Sequence, residues 1–252
     1  MKRQSRVLLV GESCTVHTIE TKGYDMFHGV RYNELAEIMK ELLEKEGFLV
    51  DHIPSHRVHM DFPVTIEGLN EYDAVILSDV GANTMLLHPD TARFCKRTVN
   101  KLSLIARFVE EGGGFAMIGG YMSFMGMDGR AKYRNTIIEK VLPVELLTYD
   151  DRVEVPEGAE LYLEEEGKKI LTKIPESLPY ILGYNKLIPK KESRILVKYE
   201  GDPIITVGHY GAGKTMAYAT DCAPHWAPPG MYEWKYYGTM WRQLLEYLIK
   251  LD

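Results

Sequence analysis

Three polar side chains have the types and spacing that nucleophilic hydrolysis requires. Asp221 and His225 are four residues apart and follow an apolar run near the end of the chain, and Ser123 follows an earlier run. A serine nucleophile needs a base to take its proton and a carboxylate to orient that base. His225 and Asp221 are candidates for these roles if a helical turn places them on one face. The alternative for Ser123 is a hydroxyl that caps a helix.

Tyr121 and two cysteines are further candidates for chemistry. The Tyr121 hydroxyl can donate a hydrogen bond to a bound oxygen, and the alternative is a ring packed under the first loop. Cys14 and Cys222 follow the first and last predicted strands. A reactive thiolate needs a nearby cation, for which His17 or His225 are candidates. The alternative is a buried, unreactive thiol.

Metal ligation is the weaker hypothesis for the histidines. Neither HxxxH nor HExxH spacing occurs among the donors His17, Asp25, His28, Asp79 and His225. His52, His56 and His59 fall in the connection after the second predicted strand, which favours a solvated or interface role. The fold would have to gather the other donors from separate loops, so we expect no metal ion and no cofactor; those donors are His17, Asp25, His28, Asp79 and His225.

The segment Gly208–Thr215 matches the phosphate-binding pattern GxxxxGKT letter for letter. A phosphate loop must lead from a strand into a helix whose N-terminus faces the phosphate. Here the following residues, 216–220, have the pattern of a strand, and Pro224 ends any continuation. The sequence therefore predicts a hairpin turn whose glycines supply positive φ angles.

Composition limits the class of protein. The chain has 252 residues, 45% hydrophobic and 26% charged, with a net charge of −6, which argues against disorder and against nucleic-acid binding. Three cysteines make no disulfide framework and indicate a reducing compartment, so we expect a cytoplasmic protein. The apolar stretch near the start is too short for a signal peptide or a membrane span.

Alternating apolar runs and amphipathic segments predict a parallel, doubly wound sheet with helices on both sides. Strands are predicted at 6–10, 48–53, 74–77, 115–118, 203–207 and 216–220. Residues 12–31 are predicted to be a loop, after which Asn33 caps a helix. Another helix covers Leu102–Val109, and a last helix carries residues from Met240 to Leu251. We expect a single domain over residues 1–252.

Two other regions stand apart from this alternation. Residues 144–194, rich in Glu, Lys and Pro, are predicted to form a β-rich peripheral excursion. The second region is a dense aromatic cluster, which we interpret as a subunit contact, so we expect a homo-oligomer; the alternative is a sugar-stacking pocket. Its members are Trp226, Tyr232, Trp234, Tyr236, Tyr237 and Trp241.

Ligands of open parallel sheets bind outside the carboxyl ends of the strands. That rule selects the segments that follow four of the predicted strands: 11–28, 79–84, 119–126 and 221–226. The residues that we expect to bind a small-molecule substrate there are Glu12, Ser13, Cys14, His17, Asp79, Asn83, Gly120 and Trp226.

Four motifs carry a family resemblance across essentially the whole chain. They are DVGANT at 79–84, GGYMSF at 119–124, LPV at 142–144 and DCAPHW at 221–226. Together they resemble the class I-like glutamine amidotransferases, and more distantly the ThuA trehalose-utilisation proteins. The resemblance implies a flavodoxin-like three-layer α/β sandwich. It also implies a cysteine in a tight strand–helix turn, activated by a late histidine with a glutamate two residues on.

The chain differs from the residues that this resemblance implies, both at the cysteine position and beside the late histidine. When Gly119 is aligned with the first glycine of the G-x-C-x-G turn, Tyr121 stands at the cysteine position. His225 matches the late histidine, but Ala227 stands two residues on. We therefore expect no glutaminase chemistry through a thioester. Two hypotheses remain: a hydrolase of a small polar or carbohydrate-like substrate, using His225, Asp221, Ser123 and Tyr121, or a non-catalytic binding or assembly protein.

Overall fold

A computed structural model describes residues 3–249 of the chain. Its strands are β1 Arg6–Gly11, β2 Ser13–Lys22, β3 Asp25–Glu34, β4 Leu49–Ile53, β5 Ala74–Ser78, β6 Gly114–Ile118, β7 Val144–Glu145, β8 Arg152–Leu163, β9 Ser177–Asn185, β10 Ile188–Pro189, β11 Arg194–Tyr199, β12 Asp202–Tyr210 and β13 Gly213–Tyr218. Its helices are α1 Ala36–Lys45, α2 Val58–Asp61, α3 Ile66–Leu69, α4 Ala82–Leu86, α5 Pro89–Phe94, α6 Lys101–Glu110, α7 Ile137–Val141, α8 Glu165–Ile170, α9 Pro229–Tyr232 and α10 Tyr237–Ile249.

Nine strands form the central sheet in the order β4-β1-β5-β6-β13-β12-β11-β8-β9. The first five are parallel to one another. Their order along the chain is 2-1-3-4-5, which is that of the flavodoxin-like doubly wound fold. The helices α1 and α10 pack together on the sheet, while α3, α4, α6 and α7 form a second group around α6. The predicted three-layer α/β sandwich is therefore confirmed.

The strands that lead to the carboxyl edge are buried apolar runs. β5 and β6 are buried at every position, as is β1 after Arg6, because helices cover both faces of the sheet. Each run ends in glycine or serine, and the polar segments that follow are brought to one edge. No helix within residues 3–249 is long and apolar enough to cross a membrane.

The loop predicted at residues 12–31 is wrong. This region forms a β-hairpin, in which β2 and β3 pair over ten registered positions and make a separate two-stranded sheet. Its residues are nearly all exposed, so no buried face produced an apolar pattern strong enough to predict strands. Asn33 lies inside β3 and does not cap α1, whose N-terminal flank is Leu35, without a side-chain cap.

Residues 144–194 contain β7, β8, β9 and β10, and most of these strand residues belong to the main sheet. β8 and β9 pair with each other and extend the sheet beyond β11. Only β7 and β10 form a small sheet of their own. The aromatic cluster was expected to be a surface; instead Trp226, Tyr237 and Trp241 are buried in the core. Leu251, predicted on the last helix, lies outside the described residues.

The predicted hairpin at Gly208–Thr215 is confirmed. β12 and β13 pair antiparallel from Gly208 with Thr215 to Tyr210 with Gly213, and Gly211 has φ +60°. A Cβ on Gly211 would lie 2.6 Å from the Glu110 backbone. Lys214 and Thr215 begin a strand, so no helix N-terminus faces the turn. The turn also lies at the amino end of β13, opposite the carboxyl edge.

We expect magnesium-ATP to leave the melting temperature unchanged, because a ligand raises it only by binding the folded state. Thermal unfolding with and without the nucleotide measures this. A saturable rise in melting temperature would contradict the hairpin interpretation.

Candidate functional site

Three neighbouring parallel strands end in residues with positive φ. Glu12 follows β1 with φ +49°, Asp79 follows β5 with φ +43°, and Gly120 follows β6 with φ +142°. The left-handed region costs a non-glycine residue roughly 1 kcal/mol or more, so packing must hold these turns. β1 and β5 are also the strands at which the sheet order reverses, where doubly wound sheets bind ligands. Two acidic residues thus occupy strained turns at the switch point.

Glu12 is the centre of a buried polar cluster. Its Oε2 accepts a hydrogen bond of 2.5 Å from Ser78 Oγ, and Cys222 Sγ lies 3.9 Å from the same oxygen. The donor atoms of Glu12, Asp221 and Cys222 all lie within 4.8 Å of one another. None of the three is more than 5% exposed. These two carboxylates and one thiol are the set that could hold a metal ion.

Asp79 closes the cluster on the β6 side. Its Oδ1 accepts a hydrogen bond of 2.6 Å from the Met122 backbone N–H, and its own N–H donates to Ser123 Oγ at 3.1 Å. A Cβ on Gly120 would lie 2.7 Å from Asp79 Oδ1. Only a residue without a side chain therefore fits the turn after β6, which lets the segment 120–123 wrap around the Asp79 carboxylate.

Burial determines the protonation of the cluster. It raises the pKa of Glu12 well above its ordinary range, and the nearby carboxylates of Asp221 and Asp79 raise it further. Burial and the Asp79 charge raise the pKa of Asp221 to about 8. Burial also raises the pKa of the Cys222 thiol, which therefore stays protonated. Burial therefore favours the neutral, hydrogen-bonding forms of Glu12, Asp221 and Cys222 over a dense negative charge.

His225 stands between this cluster and solvent. Its Nδ1 lies 3.6 Å from Asp221 Oδ2, and about a third of its side chain, 33%, is exposed. Residues 221–225 form bends and turns rather than a helix, so a tight turn brings the pair together. Burial lowers the pKa of His225, although the carboxylates of Glu154 and Asp79 oppose the shift. A neutral imidazole therefore faces a protonated carboxyl group.

Aromatic rings cover His225. The Trp226 ring stacks on the imidazole at 4.9 Å between centroids, and the Tyr121 ring meets it edge-on at 4.2 Å. Trp226 Nε1 donates to Glu154 Oε2 at 2.9 Å, and the Arg152 guanidinium lies 4.9 Å from the Tyr121 centroid. Tyr121 is thus mainly a packed ring, whose hydroxyl reaches Glu154 Oε1 only at 3.5 Å. β8 supplies both Glu154 and Arg152.

A buried amide holds the turn after β6. Asn185, at the end of β9, accepts a hydrogen bond from Gly120 N at 3.0 Å and donates to Asp151 Oδ1 at 2.8 Å. The Asp151 carboxylate in turn accepts from Met125 N at 2.8 Å and Gly126 N at 2.9 Å. Sequence reasoning missed Asn185 and Asp151, because neither lies in a motif and only the end of β9 brings Asn185 to the site.

The predicted site residues divide into two groups. Ser123 is buried and accepts the Asp79 N–H, and no helix follows it to be capped. Cys14 and His17 lie on the exposed hairpin, Ser13 Oγ accepts from Ser55 N at 2.8 Å, and Asn83 is exposed on α4. His17, Asp25 and His28 are spread along the hairpin. The residues that meet at the carboxyl edge are Glu12, Asp79, Gly120, Tyr121, Asp221, His225 and Trp226.

Replacing Asn185 with alanine leaves the Gly120 N–H without its partner and removes one of the three hydrogen bonds that the Asp151 carboxylate accepts. We expect the free energy of unfolding to fall by about 3 kcal/mol, the cost of buried unsatisfied polar groups. Urea titration measures the loss. Asn83→Ala on exposed α4 is the control, with a change within about 0.5 kcal/mol; equal effects of the two variants would refute the anchoring role.

The raised pKa of Asp221 makes stability depend on pH. Between the ordinary value of 3.8 and about 8, the folded chain binds more protons at Asp221 than the unfolded chain. The stability that burial of the protonated Asp221 side chain contributes is fully present below that window. It is lost as pH rises through the window, by up to about 1.4 kcal/mol per pH unit.

Asp221→Asn should therefore gain stability relative to wild type as pH rises across this window, measured by urea titration at several pH values. Asp61→Asn is the control, since Arg57 lowers the pKa of Asp61 and its contribution is lost as pH falls. A stability difference for Asp221→Asn that stays constant with pH would show that the carboxyl group is not protonated by burial.

Comparison with known proteins agrees with this fold. Residues 6–250 match the family model described as "Putative glutamine amidotransferase". The cytoplasmic proteins STM1381 and STM3548 of Salmonella typhimurium are 41% and 38% identical to the chain, each with a TM-score of 0.93. STM1381 aligns over 97% of this chain and 100% of its own, and STM3548 over 96% and 98%.

A ThuA-like protein from Parabacteroides merdae shares the fold at 11% identity, with a TM-score of 0.57 over 98% of this chain and 91% of its own. No curated protein matches the chain. The family model spans nearly all of the sequence, and the chain belongs to the glutamine amidotransferase-like family that this model describes.

Proposed function

We propose that this chain is a cytoplasmic hydrolase that acts on a small polar or carbohydrate-like molecule by general acid–base catalysis. One observation carries the proposal: a neutral, partly exposed His225 lies beside the protonated, buried Asp221 at the carboxyl edge of the sheet. Pairs of titratable groups whose environments shift their pKa values in opposite directions are typical of acid–base sites. The two Salmonella relatives, both described as cytoplasmic proteins, support the location.

His225 is the proposed general base. Its neutral imidazole can take a proton from water, and its partial exposure gives water access. Asp221 is the proposed acid, because a carboxyl group that keeps its proton near neutral pH can donate it to a leaving group. Glu12 and Asp79 keep that proton in place, since each additional negative charge in the cluster would raise the energy of an ionised Asp221.

The cluster also restricts the substrate. A charged substrate group would be buried beside a neutral imidazole with no opposite charge to pair with, so a neutral polar molecule fits best. Ser123 has no place as the nucleophile in this proposal, because it is 1% exposed and already accepts the Asp79 N–H. Thioester glutaminase chemistry has no place either, because Tyr121 and Ala227 stand where that route needs a cysteine and a glutamate.

A non-catalytic binding protein is the second candidate. The observation that favours it is the ring packing of Tyr121 and Trp226 against His225, which covers the cluster. In that case the protein has the family fold but catalyses no reaction. A small ligand would then raise its melting temperature without being converted.

A screen of neutral amides, esters and glycosides tests the proposal. With a substrate that is turned over, His225→Ala should lower kcat/KM by about 10²- to 10⁴-fold, the usual contribution of a positioned base. His209→Ala is the matched control, because His209 is an exposed histidine on β12 at the opposite edge of the sheet. Equal activity of the two variants would rule out His225 as the base.

The pH profile separates the two groups. Activity should fall above about 8 as Asp221 loses its proton, and it should fall at a pH below 6.5 as His225 gains one. Asp221→Asn should lower kcat/KM at every pH, because the amide cannot donate the proton, and the remaining activity should show no alkaline limb near 8. Stabilisation by a ligand without turnover would support the binding protein instead.

A further inference from the structure

The hairpin of β2 and β3, which we call the arm, projects from the domain. Each strand has ten residues, so the arm is about 34 Å long, and neither strand pairs with the central sheet. Its base is held by hydrogen bonds from Leu35 N to Glu12 O at 3.0 Å and from Ser55 N to Ser13 Oγ at 2.8 Å. An isolated two-stranded hairpin is only marginally stable in water. The arm therefore needs a covering surface.

The register divides the arm into two unlike faces. Residues directly opposite one another in an antiparallel pair point to the same side. One side, the charged face, carries Glu20, Lys22, Asp25 and Arg31. The other, the uncharged face, carries four apolar side chains together with His17, His28 and threonines, and its only carboxylate is Glu34 at the base. The apolar four are Ile19, Met26, Val30 and Tyr32, exposed by 64%, 63%, 65% and 46%.

A groove continues from the base of the uncharged face. The Tyr32 ring meets the His56 ring edge-on at 5.2 Å, and beyond it lies an open groove of about 390 Å³. No carboxylate lines this groove. Leu87, at its rim, is 49% exposed, and the nearby Met60 and Phe94 are 64% and 65% exposed. Arg93 places one guanidinium at this groove, and Ser55, His59, His88 and Ala92 also line it.

We propose that the arm and the groove join two copies of this chain in a two-fold dimer, with each arm lying in the groove of the other copy. Arm and groove are on the same chain, so a two-fold axis can place the arm of each copy in the groove of the other. Both surfaces are largely uncharged, which makes them chemically complementary. The charged face then remains in water at the rim. This inference does not depend on the proposed chemistry.

The available area is that of a stable interface. One face of the arm measures about 34 Å by 10 Å, so two arms and the surfaces that they cover amount to roughly 1,400 Å². Stable interfaces between proteins bury about 1,200–2,000 Å². The arm thus offers enough surface for a dimer. It also exposes more apolar side chains than is usual for a surface without a partner.

Analytical ultracentrifugation at micromolar concentration tests the proposal on the full chain. The wild type should sediment with twice the monomer mass of 28.8 kDa. Val30→Lys places a charge in the uncharged face and should give a monomer. Phe27→Lys is the matched control, because Phe27 is also an exposed apolar residue of the arm but points to the charged face; it should remain dimeric.

A groove variant completes the design. Leu87→Lys should also give a monomer, and circular dichroism should show that all three variants keep the wild-type fold. A monomeric wild type, or an equal effect of Val30→Lys and Phe27→Lys, would overturn the arm as the interface. A dimeric Leu87→Lys beside a monomeric Val30→Lys would overturn the groove as the surface that receives the arm.

Discussion

Three carboxyl groups are buried together at one edge of a parallel sheet, and each must keep its proton or find a positive neighbour. Among residues 3–249, the only Lys, Arg or His nitrogen within 4.0 Å of a carboxyl oxygen of Glu12, Asp79 or Asp221 is His225 Nδ1, and that imidazole is neutral. The cluster is satisfied by Ser78 and by the Met122 N–H instead of by lysine or arginine. The left-handed turns and the glycine after β6 follow from the need to bring these partners within hydrogen-bonding distance.

That constraint explains why distant strands contribute to the site. A carboxylate inside the 120–126 turn requires backbone N–H groups that point inward, and the turn holds this shape only because Asn185 and Asp151 bind its outside. β8 and β9 are therefore structural supports of the site, although they lie at the far end of the sheet order. β8 also supplies Arg152 and Glu154, which keep the rings of Tyr121 and Trp226 in place over His225.

The sequence was sufficient to predict the parallel half of the fold, because strands buried on both faces are short apolar runs that end in glycine or in Ser78-Asp79. The strand-end rule then placed Glu12, Asp79, Asp221 and His225 at one edge. It failed for Asn185, whose role depends on the path of β9 and not on local pattern. It also failed for the arm, whose strands face water on both sides; the signal that was available is Gly23 between two segments rich in Thr, Val, Ile and aromatic residues.

The ring of Tyr121 has an evolutionary consequence. A tyrosine codon becomes a cysteine codon by one base change, so the nucleophile that the family fold accommodates is only one mutational step away. That step would remove a ring that contacts His225, Trp226 and Arg152, leaving a void under the histidine that the new thiol would need as its base. The packing around Tyr121, and not only the identity of that residue, therefore opposes a cysteine nucleophile at this position.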